Sequence, residues 1–407
     1  MSHVAASDSP APGTGDDPSA VFAALLTDEG RLLLEELRDH DPARELALAT
    51  RLRRTHPAPL VSAALGQARL RQRAAAKFGA DAERMFFTPD GVEQATRAAV
   101  AAHRAQRFAG RGVRRVADLG CGVGGDALAL ARAGISVLAV DRDPLTCTVA
   151  RANAEALGLA HRIEVRQADV TSVDTGGCDA VFVDPARRSA ARRGARVFDP
   201  EAYEPPLSWA VGTARRSGQA ALKVAPGIPH ASVPEGAEAE WVSHRGEVKE
   251  AVLWFGGPPG VRATLLPQGD TLAGAGLPDP PAGPVGRFLY EPDGAVVRAH
   301  LVAEVAAAVG GRLIDPAIAY VTADTLVPTP YATAYEITDG QPFQLKRLRA
   351  LLREREVGTL TVKKRGSAVE PEELRRRLRL RGPNTATVFL TRAAGAPTML
   401  IGHPAGA

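Results

Sequence analysis

Residues 116–126, Val-Ala-Asp-Leu-Gly-Cys-Gly-Val-Gly-Gly-Asp, carry an apolar strand directly into a glycine-rich turn, and Ala127–Ala133 continues as an alanine- and leucine-rich helix. Nothing else in the chain limits the fold so tightly, because a strand, a glycine turn and a helix in that order open a parallel α/β sheet. Gly120, Gly122 and Gly124 allow a sharp turn and a close approach to a ligand, where a Cβ would collide. Further on, Ile135–Val140 reads as a second buried strand ending at Asp141, whose carboxylate can accept hydrogen bonds from both hydroxyls of a ribose. The turn therefore predicts a nucleoside-containing cofactor.

The spacing separates this turn from that of dinucleotide enzymes. Asp118 precedes the first glycine by two, and the two-residue gap of G-x-G-x-x-G is missing before the third glycine. Arg162-Ile-Glu-Val-Arg-Gln-Ala-Asp169 reads as a third strand ending in an acid, and Cys178-Asp-Ala-Val-Phe-Val-Asp184-Pro185-Ala186-Arg187 as a fourth ending in Asp-Pro. Together these motifs resemble those of class I S-adenosylmethionine-dependent methyltransferases. Cys121-Gly-Val-Gly-Gly125 and Ala139-Val-Asp-Arg-Asp-Pro144 are similar to the RNA-cap guanine-N2 (trimethylguanosine synthase-like) branch.

The resemblance implies S-adenosyl-L-methionine as cofactor, contacted by Asp118, Gly120, Gly122, Gly124, Asp126, Asp141 and Asp169, with Asp169 beside the adenine. It also implies that Asp184 and the Pro185 carbonyl orient the target nitrogen of an amine. Amino-methylating RNA enzymes show Asn/Asp/Ser-Pro-Pro and then an aromatic, whereas this chain shows Asp184-Pro185-Ala186-Arg187. Methyl transfer from a sulfonium is an in-line displacement that depends on alignment and charge stabilisation and requires no metal. Methylation at C5 of a pyrimidine would need a cysteine nucleophile, but Cys121, Cys147 and Cys178 all precede the Asp-Pro.

Charge is unevenly placed. The net charge is +4, yet residues 341–381 hold thirteen Lys or Arg against five Glu, which points to a polyanion partner. Alternating Arg353, Glu354, Arg355 and Glu356 also fits a merely solvated helix face. Behind the Asp-Pro, Arg187, Arg188, Arg192, Arg193 and Arg196 follow one another with no acid among them, the composition expected of a loop that positions phosphates.

Along the chain, residues 1–20 have the composition of a disordered tail. Residues 21–110 read as a helical region, with Phe22, Leu25, Leu26, Leu32, Leu33, Leu34, Leu37, Leu46, Leu48 and Leu52 at three- and four-residue spacing. Its stretch from Leu60 to Lys77 has a basic side, Arg69, Arg71, Arg73 and Lys77, that could contact phosphates. Residues 111–266 alternate short strands with helices, predicting an α/β, Rossmann-like seven-stranded sheet in which strands 240–245 and 250–255 pair antiparallel. That arrangement matches class I methyltransferases. Residues 267–286, rich in Gly, Pro and Ala, read as a linker, so residues 287–407 should form a separate α+β domain. From its order of elements and Thr361-Val-Lys-Lys-Arg-Gly366, that domain resembles the THUMP-like relatives of an RNA-binding module, with Lys363, Lys364 and Arg365 as phosphate contacts.

No apolar run reaches the roughly eighteen residues of a membrane span, and the polar N-terminus lacks a leader pattern, so a cytoplasmic protein is expected. The reading that joins these features is a methyltransferase acting on an exocyclic or ring nitrogen of a base in structured RNA, tRNA or rRNA. Two others stay open: a methyltransferase for a small acidic metabolite, and a non-catalytic RNA-binding protein that retains the cofactor fold.

Overall fold

The computed structural model describes residues 17–186 and 199–406. They belong to two compact units that divide between Ala186 and Arg187.

The first unit opens with α1 (Pro18–Leu25), α2 (Asp28–Glu36), α3 (Glu45–Leu52), α4 (Ala58–Phe78), α5 (Pro89–Gln94) and α6 (Ala98–Gly110). Thr27 caps α2 and Thr88 caps α5, each accepting from an otherwise orphan backbone N–H three residues on. Leu33, Leu37, Leu52, Val61 and Phe108 are buried, as the helical periodicity predicts, but Leu32 and Leu46 face solvent. The basic side of α4 differs from expectation, because its charges are engaged internally. Arg69 pairs with Glu45, Arg71 donates to the Met85 carbonyl, Arg73 pairs with Glu93, and Lys77 donates to the carbonyls of Glu93 and Ala95.

The α/β part of the unit follows as β1 (Arg115–Leu119), α7 (Gly125–Arg132), β2 (Ser136–Asp141), α8 (Pro144–Ala156), β3 (Ile163–Gln167) and β4 (Ala180–Val183). The strands are parallel in the order β3-β2-β1-β4. The helical region is seated on this sheet layer. Asn153 of α8, fully buried, donates to the carbonyls of Phe86 and Val123 and accepts from the Phe86 N–H.

The second unit begins with α9 (Leu207–Ser217), β5 (Ala220–Val224), β6 (Glu238–His244), β7 (Glu247–Phe255), β8 (Gly260–Leu266) and β9 (Asp270–Ala273), its strands in the order β5-β7-β6-β8-β9. The antiparallel β6–β7 hairpin is as expected. Strands β8 and β9 are additional: β8 runs parallel to β6, and β9 returns beside it. The expected linker 267–286 is therefore corrected. It contains β9, and its remainder is pinned by backbone bonds from Gly274 to Val261, from Gly283 to Leu313 and from Leu313 to Pro281.

The chain continues through β10 (Phe288–Pro292), α10 (Gly294–Arg298), α11 (Val302–Val309), β11 (Arg312–Asp315), β12 (Ile318–Ala323), β13 (Ala332–Pro342), α12 (Leu345–Glu354), β14 (Val357–Lys364), α13 (Pro371–Leu378), β15 (Asn384–Ala393) and β16 (Ala396–Pro404). Their sheet runs β11-β12-β10-β13-β16-β15-β14, antiparallel except for the β14–β15 pair. Helices α10 and α11 are separate, with His300 between them at φ 57°. Short α10 lies against β6, β7 and β8, with Ala295 and Val296 fully buried, so a cut at residue 287 would strip cover from the preceding sheet. Leu348 and Leu352 of α12 and Leu374 and Leu378 of α13 share one core with Leu360, Val388 and Met399, which places both helices on the same face of the later sheet. Among the described residues no helix is long and apolar enough to cross a membrane.

Candidate active site

The carboxyl ends of β1, β2, β3 and β4 gather the motif residues, as ligand sites in open α/β sheets require. Chain reversal after β1 is set by Gly120 and Cys121, whose N–H groups both donate to the Val140 carbonyl at 2.9 and 3.0 Å. Gly120 has φ 95°, and a Cβ there would lie 2.7 Å from the Asp184 carbonyl oxygen. The first turn glycine and the Asp-Pro after β4 are thus direct neighbours, and only glycine permits it. Gly124 is left-handed and heads α7, whose first turn carries Asp126.

Asp141 holds the turn from the other side. Its two carboxylate oxygens accept separate N–H bonds, one from Gly122 and one from Asp143, each at 3.0 Å. Asp143 in turn caps α8 by accepting from Thr146. A carboxylate has about four acceptor sites, so about one remains on each Asp141 oxygen, the number that two ribose hydroxyls need. Asp169 lies next in line, because the Ala168 N–H donates to the Asp141 carbonyl at 3.0 Å. The hydroxyl and then the N–H of Thr171 bind the Asp169 carboxylate and hold its pKa below the ordinary range. Asp169 is exposed at the site rim, whereas Asp118, inside β1, is fully buried beneath the turn.

Asp126 departs from the expected role. Its carboxylate is committed to Arg104 of α6 in a buried ion pair, with side chains 9% and 2% exposed. The Arg104 guanidinium also stacks 4.2 Å from the Phe182 ring centroid of β4. Asp126 therefore braces the base of α7 against α6. Arg104 and Asn153 escaped sequence reasoning. The available signal was weak: each is a lone polar residue among alanines on a helix face, and a buried polar group needs a partner.

Asp184 is half-exposed, and its N–H donates to the Leu119 carbonyl at 3.1 Å, while Pro185 is buried. Arg187, Arg188, Arg192 and Arg193 lie outside the described residues. Cys121 and Cys147 are buried, and burial pushes the Cys121 thiol well above its ordinary pKa, which suits packing and not nucleophilic chemistry.

The basic run at the end of β14 is engaged within its own domain. Lys363 pairs with Glu291 and lies over the Tyr335 ring, Lys364 pairs with Glu370 at 2.6 Å, and Arg365 donates to the carbonyls of Ala319 and Pro292. Lys363 and Arg365 thus tie the end of β14 to β10 and β12, and Lys364 ties it to the start of α13, all within their own domain.

A methyltransferase domain model matches residues 116–200, a THUMP domain-like model residues 332–404, and a domain of unknown function residues 17–74. Two uncharacterized S-adenosylmethionine-dependent methyltransferases of Mycobacterium tuberculosis, from strains CDC 1551 / Oshkosh and ATCC 25618 / H37Rv, are each 37% identical to this chain over 336 residues. Each alignment covers 79% of this chain and 90% of the relative. A solved structure from Porphyromonas gingivalis W83, assigned as a methyltransferase, superposes with a TM-score of 0.76 at 21% identity, covering 96% of this chain and 99% of that one. That likeness covers the helical region, the Rossmann-like α/β layer and the β-rich C-terminal domain alike.

Proposed function

The chain belongs to the S-adenosylmethionine-dependent methyltransferases, and from the THUMP domain-like match at residues 332–404 beside that membership we propose that it methylates an exocyclic or ring nitrogen of a base in structured RNA, tRNA or rRNA. Its cofactor is S-adenosyl-L-methionine, which supplies an electrophilic methyl group on a sulfonium. The residues present fit that cofactor: Asp141 keeps acceptor capacity for the ribose, and the bare Cα of Gly120 keeps the turn clear beside Asp184.

The observation that carries the reading is the adjacency of Asp184 to the cofactor turn. The Asp184 carboxylate and the Pro185 carbonyl are acceptors, and an amine whose N–H bonds point at two acceptors has its lone pair directed elsewhere, toward an electrophile. A hydroxyl substrate would need a single base, and a carbon nucleophile would need none of this. The likeness of 121–125 and 139–144 to the guanine-N2 branch makes a guanine amino group the first base to test. The deciding experiment is a mass-spectrometric inventory of modified nucleosides in tRNA and rRNA from cells with and without this protein. One methylated nucleoside should disappear on deletion. An unchanged inventory, with a methylated small acid lost instead, would favour the metabolite reading.

Asp141→Ala is expected to weaken S-adenosylmethionine binding about 10- to 100-fold, the scale of one or more lost charge-assisted hydrogen bonds. Titration calorimetry checks this, and an unchanged affinity would remove Asp141 from the site.

A further inference from the structure

We propose that the phosphate-gripping site of the C-terminal domain is the cleft between α12 and α13, and that it takes the sugar-phosphate backbone of the substrate RNA. The proposal rests on the RNA reading above and locates where that RNA is held. The cleft has a volume of about 620 Å³ and is lined by Arg349 and Arg353 of α12 and by Glu373, Arg376, Arg377 and Arg379 of α13 and its end.

Charge balance is the first argument. Elsewhere in this domain many cations are paired or bonded: Arg287 with Glu336, Arg312 with Asp324, Arg355 with Asp339, Lys363 with Glu291, and Arg365 and Arg392 with backbone carbonyls. In the cleft, Arg377 alone reaches Glu373, at 3.7 Å, while Arg353, Arg376 and Arg379 make neither an ion pair nor a side-chain hydrogen bond among the described residues. Helix C-termini do attract cations, but each macrodipole amounts to about half a charge. Two helices account for about one arginine, not five.

Arg379 supplies the second, independent argument. It ends α13 in the left-handed conformation at φ 50°, ψ 53°, where glycine is the residue without strain. A long side chain at a glycine position costs folding energy, as at His300, Glu356 and Ala394 of the same domain, and at Arg379 it adds a cation to the cleft. Arg349 is held in place from the same cleft. One of its terminal nitrogens donates to the Arg377 carbonyl, bridging the helices, and its buried Nε has no partner.

The lining chemistry selects the occupant. No apolar side chain lines the cleft, so it lacks the buried core on which a protein partner would anchor. Guanidinium forks match phosphate oxygens two at a time. Phosphate contacts position without reading bases, which is what a domain distant in sequence from Asp184 can contribute.

The test uses the full chain, a fluorescein-labelled mixed-sequence RNA hairpin and a salt series. Arg353→Ala with Arg376→Ala should weaken binding at least about tenfold and lower the log–log salt slope by about two. Arg379→Gly should weaken binding while leaving the thermal midpoint unchanged or raising it, so it decides the matter even if the double variant folds poorly. Wild-type affinity in Arg379→Gly and in a folded double variant would overturn the site. An equal loss for labelled polyglutamate would show a dock for acidic protein and overturn the RNA assignment. The RNA-methylation reading fails separately: arginine-dependent hairpin binding with no methylated nucleoside lost on deletion would leave the cleft standing and that reading refuted.

Discussion

Asp184→Ala is expected to bind S-adenosylmethionine as wild type does and to lose methyl transfer by about 10²- to 10³-fold, the effect of removing one oriented polar group from a reacting centre. Alanine leaves the backbone in place, because the Asp184 N–H is held by Leu119 and its carbonyl sits against Gly120. The loss would therefore report the carboxylate and not a collapsed turn. Asp184→Asn, which keeps one acceptor oxygen, should retain part of the rate. Calorimetry with the cofactor, together with single-turnover transfer of a tritiated methyl group to the substrate RNA, separates binding from chemistry. A rate near wild type would reduce Asp-Pro to a strand-ending turn and remove the amine reading with it.

Asp126→Ala is expected to destabilise the fold by about 3–5 kcal/mol, the cost of breaking a buried ion pair by removing one of its members. Arg104 is 2% exposed and stacks on Phe182, so its charge is held in the interior. Replacing both charges by apolar groups, Arg104→Met with Asp126→Leu, should recover much of the loss, because a buried pair gains little over hydrophobic residues of similar volume. Urea titration measures both. A loss under about 1 kcal/mol accompanied by weaker cofactor binding would return Asp126 to the role implied by the motif. Asp126→Ala and Asp141→Ala are thus expected to fail in opposite ways, one in stability and the other in cofactor affinity, although the two aspartates are only fifteen positions apart in the chain.

The strand–turn–helix at 115–132, the strand ends near Asp141, Asp169 and Asp184 and the hairpin at 238–255 were legible beforehand, because short unbroken apolar runs, period-3.6 burial and left-handed glycines are written over a few consecutive residues. Strands β8, β10, β11 and β16 were not. Phe288–Pro292 and Arg312–Asp315 are too short to show a period, and Gly260–Leu266 is a strand because β6 lies beside it. The exposed linker suggested by Gly, Pro and Ala at 267–286 failed for the same reason, since partners distant in sequence hold it.

The sequence by itself determined the cofactor turn and the acids that surround it, because backbone conformation at glycine and the end of a buried strand are local properties. Tertiary structure alone decided what each charge does, because the energy of a charge depends on which groups stand within a few ångströms. Asp126 found Arg104 from 22 residues away, and Lys363 found Glu291 from 72. Arg353, Arg376 and Arg379 were left facing one another across a cleft because leucines on two helices, packed on one sheet face, brought them there.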